Sequence, residues 1–148
     1  MTRSLTAPGV QALQRVLAAE HAVVFGYGVA GARLQGRDRR RARVRWARHR
    51  AQRDELSELL TRLGGQPVQA AATYALPSPV RTPADARVLV TRLEEGLTAV
   101  WADAVLALDG DRRAVAVGGM RDAAVAAALW REGSVPFPGL AERSSPGG

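Results

Sequence analysis

The chain contains no cysteine and no lysine, has few aromatic residues, and holds no apolar run long enough to cross a membrane. Each absence narrows the reading. Without cysteine there is neither a disulfide framework nor a thiolate metal site. The longest apolar stretches fall well short of the roughly 20 residues a membrane-spanning helix needs. Met1 to Pro8 carries a single arginine and no apolar segment of the signal-peptide kind. A cytoplasmic protein without a membrane partner is the resulting expectation. Aromatics make up 5% and hydrophobic residues 47% of the 148 positions, so the core has to be assembled from Ala, Val and Leu. These small side chains suit helices packed at close range, and a chain of this length can bury a proper core as one domain.

All 21 basic residues are therefore arginine, a bias that codon usage in a GC-rich genome produces on its own. Their distribution says more than their number. Ten lie between Arg33 and Arg53, where the one acid is Asp38, and the rest of the chain holds 11 arginines against 13 acids. The net charge of +7 is thus a local feature.

Four segments carry helical periodicity. The first, about Pro8 to Gln35, shows a seam of Val10, Leu13, Leu17, Glu20, Val24, Gly28 and Gly31, with Thr6 as N-cap and Pro8 in the first turn. The second, about Asp38 to Leu63, runs through Ala42, Trp46, His49, Arg53, Leu56, Leu60 and Leu63 and ends at Gly64-Gly65. Thr82-Pro83 opens the third, whose apolar face is Ala86, Val90, Leu93, Leu97, Val100, Ala104 and Leu108. The fourth, about Asp111 to Arg131, runs through Val117, Arg121, Val125 and Leu129, with Gly133 closing it.

The connections predict the topology. Short links around Gly36 and Gly110 make two antiparallel helix hairpins, and the long proline-bearing stretch from Gly64 to Arg81 reads as a crossover between them. The fold class expected is all-α, a four-helix bundle of two hairpins joined by a long crossover, which is the ferritin-like arrangement. Residues 1–141 form the domain, with Phe137 and Leu140 strapping one end, and 142–148 form a polar tail.

Gly26-Tyr27-Gly28-Val29-Ala30-Gly31 spells G-x-G-x-x-G, but that fingerprint binds dinucleotides only between a strand and a helix. Here it continues a helical seam, so the plainer reading is close helix packing. The charged residues on apolar seams are more informative. Glu20, His49, Arg53, Glu94 and Arg121 all sit near helix midpoints, where a bundle brings them into one layer. A buried charge without a partner costs several kcal/mol, so these must pair or hold an ion.

Leu17 to Gly31 (LAAEHAVVFGYGVAG), His49 to Asp54, Tyr74-Ala75-Leu76-Pro77 and Pro136 to Leu140 together resemble an Ala/Arg-rich actinobacterial family of unknown function. That family is assigned to the ferritin-like superfamily, and the resemblance spans nearly the whole chain. It implies the fold and no established activity. Ferritin-like di-iron proteins take one Glu from each of two helices and Glu-x-x-His from the other two. Glu20 and Glu94 match the single glutamates, whereas the second helix offers Arg50 and Arg53 and the fourth Arg121 and Asp122, with no histidine after His49.

The expected function is a structural or interaction module: a bundle without a complete di-iron site, no cofactor and no known small-molecule ligand, reading away from an enzyme. Its buried charge network is expected to comprise Glu20, Arg50, Arg53, Glu94 and Arg121. One alternative is an RNA-binding protein using the Arg37–Arg53 stripe, with contacts from Arg37, Arg39, Arg40, Arg41, Arg43, Arg45 and Arg48. Another is a metal-dependent oxidoreductase with an irregular site of Glu20, His21, His49 and Glu94. Trp46, Trp101 and Trp130 are large enough to anchor a homodimer.

Overall fold

Two threonines start two of the helices. Thr6 accepts from the Gly9 amide at 3.3 Å and opens α1, Ala7–Gly31. Thr82 and Asp85 bond reciprocally to each other's backbone amides in a full capping box and open α3, Pro83–Ala107. The other two helices open on a glycine at positive φ, Gly36 (52°) for α2 and Gly110 (53°) for α4, where an L side chain would be strained. They span Gly36–Arg62 and Gly110–Arg131. The computed structural model describes residues 5–131; all its regular structure is helical, and the described residues contain no strand. The Phe137–Leu140 strap, the stop at Gly133 and the tail 142–148 lie outside the described residues.

Side-chain pairings give the helix directions. Gly9 faces Leu108 and Gly26 faces Leu93, so α1 and α3 run antiparallel. Asp38 bonds Arg87 and Arg45 bonds Glu94, so α2 and α3 run parallel. Arg41 reaches Leu129 and Arg45 reaches Asp122, so α4 opposes α2. The order is up, down, down, up. This requires the chain between α2 and α3 to climb the full bundle, and it does so along α1. Gln14 holds Gln66 and Val68, His21 meets the Val68 carbonyl at 3.0 Å, and Phe25 packs against Tyr74 at 5.4 Å.

The helices α1 and α2, α1 and α3, and α3 and α4 pack closely, whereas no Cα of α2 comes within 8 Å of one in α4. Arginine side chains cross that wider seam. On α4 the buried stripe is Ala116, Ala123, Ala127 and Trp130, one or two positions away from the expected Val117, Arg121, Val125 and Leu129. Alanines let α3 come close, and a Cβ at Gly119 would fall 2.5 Å from the Trp101 ring. Val125 and Leu129 are left exposed. In α1 the buried face after Glu20 runs through Val23, Tyr27 and Ala30, and continues to Leu34 in the link beyond the helix, instead of Val24, Gly28 and Gly31, because Tyr27 turns inward to the charged layer. Of the glycine fingerprint, only Gly26 serves close packing; nothing lies within 4 Å of a Cβ at Gly28 or Gly31. Trp101 and Trp130 are 2% exposed and unavailable as dimer anchors, which leaves Trp46 half-buried.

Candidate functional site, a charged layer at mid-bundle

Glu20 (1% exposed), His49 (3%) and Glu94 (0%) are the buried charged or polar residues of the described chain. Each comes from a different helix and each lies midway along it, so helix register alone brings them to one level. His49 bridges the two carboxylates: Nδ1 lies 2.8 Å from Glu20 Oε2 and Nε2 lies 3.0 Å from Glu94 Oε1. With a carboxylate at each nitrogen, the imidazole donates twice and is cationic. Burial acts to depress its pKa, but the bonds and charges of Glu20 and Glu94 outweigh that and hold it above the ordinary histidine value.

Glu94 Oε1 is the focus of the layer. It accepts Tyr27 Oη at 2.6 Å, Arg45 Nη2 at 2.8 Å and Arg45 Nε at 3.1 Å, besides His49. Arg45 Nη2 also lies 3.2 Å from His49 Nε2, since both donors converge on one oxygen. Burial pushes the Glu94 carboxyl up, yet His49, Arg45 and Tyr27 together hold it below the usual carboxylate range. Its second oxygen, Oε2, is buried without a partner among the described residues. The Tyr27 phenol is driven well above its normal pKa, first by burial and then by the adjacent Glu94 charge, so it remains a donor. It accepts in turn from Trp130 Nε1 at 2.8 Å.

Arg45 extends the layer to α4 through Nη1, 2.8 Å from Asp122 Oδ2, and Arg48 shares that oxygen at 3.1 Å. Burial opposes the Arg45 charge, but Glu94 and Asp122 raise its pKa further, so it is permanently cationic. Beside this bridge a cavity of about 210 Å³ opens between α2 and α4, lined by Glu20, Arg48, His49, Trp101, Gly119 and Asp122.

Several expected members stand elsewhere. Arg50 is exposed and stacks on Trp46 at 4.6 Å, Arg53 pairs with its neighbour Asp54 at 2.7 Å, and Arg121 is exposed on α4. Their stems leave α2 and α4 on the wrong sides to reach the glutamates. The cation that does reach them, Arg45, was expected on the surface with the nucleic-acid stripe. It is one turn before His49, the i,i+4 spacing that puts both on one helix face; that signal was present in the sequence. Arg41 and Arg48 also leave the free stripe: Arg41 lies over the Trp130 ring at 5.1 Å and bonds the Leu129 carbonyl, and Arg48 holds Asp122. Arg37, Arg39, Arg40 and Arg43 remain exposed. His21 is turned out to the crossover, away from Glu20 and His49. Among the described residues no group of three or more His, Asp or Glu is arranged to hold a metal ion.

The chain's likeness to other proteins covers this whole layer. The family model described as a domain of unknown function, DUF4439, matches residues 12–142. The crystal structure of the conserved hypothetical protein Rv2844 from Mycobacterium tuberculosis superposes with a TM-score of 0.82. It shares 32% identity over 87% of this chain and 98% of its own. None of the curated proteins compared with the chain matches it. The matched span takes in α1 from Ala12 onward, the whole of α2, α3 and α4, and with them Glu20, Arg45, His49, Glu94 and Asp122, and the chain belongs to the DUF4439 family.

Proposed function

We propose that the chain is a ferritin-like bundle whose mid-layer is closed by its own cations, and that it acts as a structural or interaction module rather than as an oxidoreductase. The up-down-down-up order with a crossover along α1 supports the ferritin-like assignment. The observation that carries the functional reading is the crowding of Glu94 Oε1 by Arg45 and His49.

A di-iron centre of this fold draws on four carboxylates and two histidines. Here α2 supplies His49 with Trp46 three positions before it, and α4 supplies Asp122 with no histidine. The residues do not fit the cluster. Arginine cannot be deprotonated in a protein, so the Arg45 charge stands where a metal would need to approach Glu94. A cation entering there would meet the fixed charge of Arg45, a His49 whose two nitrogens are already engaged by carboxylates, and a Glu94 already satisfied on one oxygen.

Metal loading tests this. Protein incubated with Fe(II), Mn(II) or Zn(II), freed of excess and analysed by mass spectrometry, should retain well under one equivalent. Stoichiometric metal that disappears in Glu20→Ala and Glu94→Ala would overturn the reading and return the chain to metal-dependent chemistry.

A further inference from the structure

The arginines that stay outside the charged layer are not spread evenly. Arg39, Arg43 and Arg50 fall with Trp46 at spacings of four, three and four, which puts them on one flank of α2. That flank faces the C-terminal end of α1, and between the two helices runs a groove of about 260 Å³ lined by Tyr27, Gly31, Ala32, Arg39, Arg43 and Trp46.

Its chemistry is specific in three ways. The lining holds two guanidiniums and no carboxylate, and neither Arg39 nor Arg43 has an ion-pair partner among the described residues. Trp46 gives it an aromatic surface, with Arg50 stacked on the indole at 4.6 Å. Gly31 and Ala32 keep the opposite wall low, and a Cβ at Gly31 would meet nothing within 4 Å. The glycine is therefore not needed for helix packing. In a helix it costs about 1 kcal/mol relative to alanine, and what it leaves is open space over the groove.

We propose that this groove binds a nucleotide unit, with the base on Trp46 and the phosphate between Arg39 and Arg43. Guanidiniums recognise phosphate oxygens through paired N–H donors, and aromatic faces take bases irrespective of sequence. A free nucleotide and a single strand of RNA present the same unit.

The test titrates the full chain with a short oligoadenylate, with AMP and with heparin, following tryptophan fluorescence. Trp101 and Trp130 are internal, so quenching reports Trp46. The oligoadenylate should quench, with a log–log salt slope of about −0.7 per phosphate held. Gly31→Leu should weaken it by about tenfold, the size of one lost base–aromatic contact, without loss of helical circular dichroism. Arg39→Ala with Arg43→Ala should do the same and serves if Gly31→Leu fails to fold; Arg40→Ala, outside the groove, should change little. Quenching by AMP alone identifies a free nucleotide as the ligand, and quenching by the oligomer alone identifies a strand. Absence of quenching by both, or heparin binding equally with Gly31→Leu and the Arg39/Arg43 variant both behaving as wild type, would overturn the proposal and leave only diffuse attraction to α2.

Discussion

Arg45 on α2 and Asp122 on α4 meet at 2.8 Å across the one side of the bundle where the backbones stay apart. The same guanidinium holds Glu94 on α3, so a single side chain ties three helices. Apolar side chains of ordinary length would leave that seam open, and a long cation with acceptors on both far walls closes it. This makes α2 the helix most dependent on electrostatics.

Arg45→Ala should therefore destabilise the fold by about 3 kcal/mol, because it leaves Glu94 buried and short of a partner. Arg121→Ala, on the exposed face of α4, should stay within about 0.5 kcal/mol. Urea unfolding of the two variants checks both, and equal effects would mean that the Arg45 bonds carry no weight.

The His49 and Glu94 shifts set a pH window for stability. His49 is raised, so its contribution is full below the unfolded histidine pKa of about 6.5 and is lost as pH rises through the folded value. Glu94 is lowered, so its contribution is full above the unfolded value of about 4.3 and is lost as pH falls through the folded one. Melting temperature should be highest between these two limits and decline on either side. In His49→Gln the alkaline decline should flatten; an unchanged profile would show that the imidazole is not charged in the fold.

Tyr27→Phe removes the hydroxyl that donates to Glu94 at 2.6 Å and accepts from Trp130 at 2.8 Å. Two buried groups lose a partner with almost no change of shape. A loss of about 1–3 kcal/mol is expected, measured by denaturant midpoint at constant slope.

Gly118 and Gly119 make a matched pair on α4. A Cβ at Gly118 meets nothing within 4 Å, whereas one at Gly119 falls 2.5 Å from the Trp101 ring. Gly118→Ala should stabilise by about 0.5–1 kcal/mol from helix propensity, and Gly119→Ala should destabilise by about 1–3 kcal/mol from overpacking. The two thermal shifts should have opposite signs.

What the sequence by itself determined is local or nearly so. Helix starts are written in Thr6, Thr82-Pro83 and the Gly36 and Gly110 links, whose constraints act within a few residues. The 18 residues between Gly64 and Pro83 imply a crossover because the chain cannot otherwise join two hairpins. Glu20, His49 and Glu94 stand out because an ionisable group on an apolar seam has few alternatives to burial. Which arginine answers them is a different kind of question. Arg45, Arg50 and Arg53 are each within a turn or two of His49, and each has a long stem that can turn several ways. Only the position of α3 and α4 across the wide seam selects Arg45 and leaves Arg50 on Trp46. The phase of α4 was likewise decided in three dimensions, because an alanine stripe and a valine-leucine stripe one or two positions apart both satisfy the helical period. Transfer of apolar surface favours burying the larger residues, but close approach of α3 to α4 around Trp101 admits only the smaller ones.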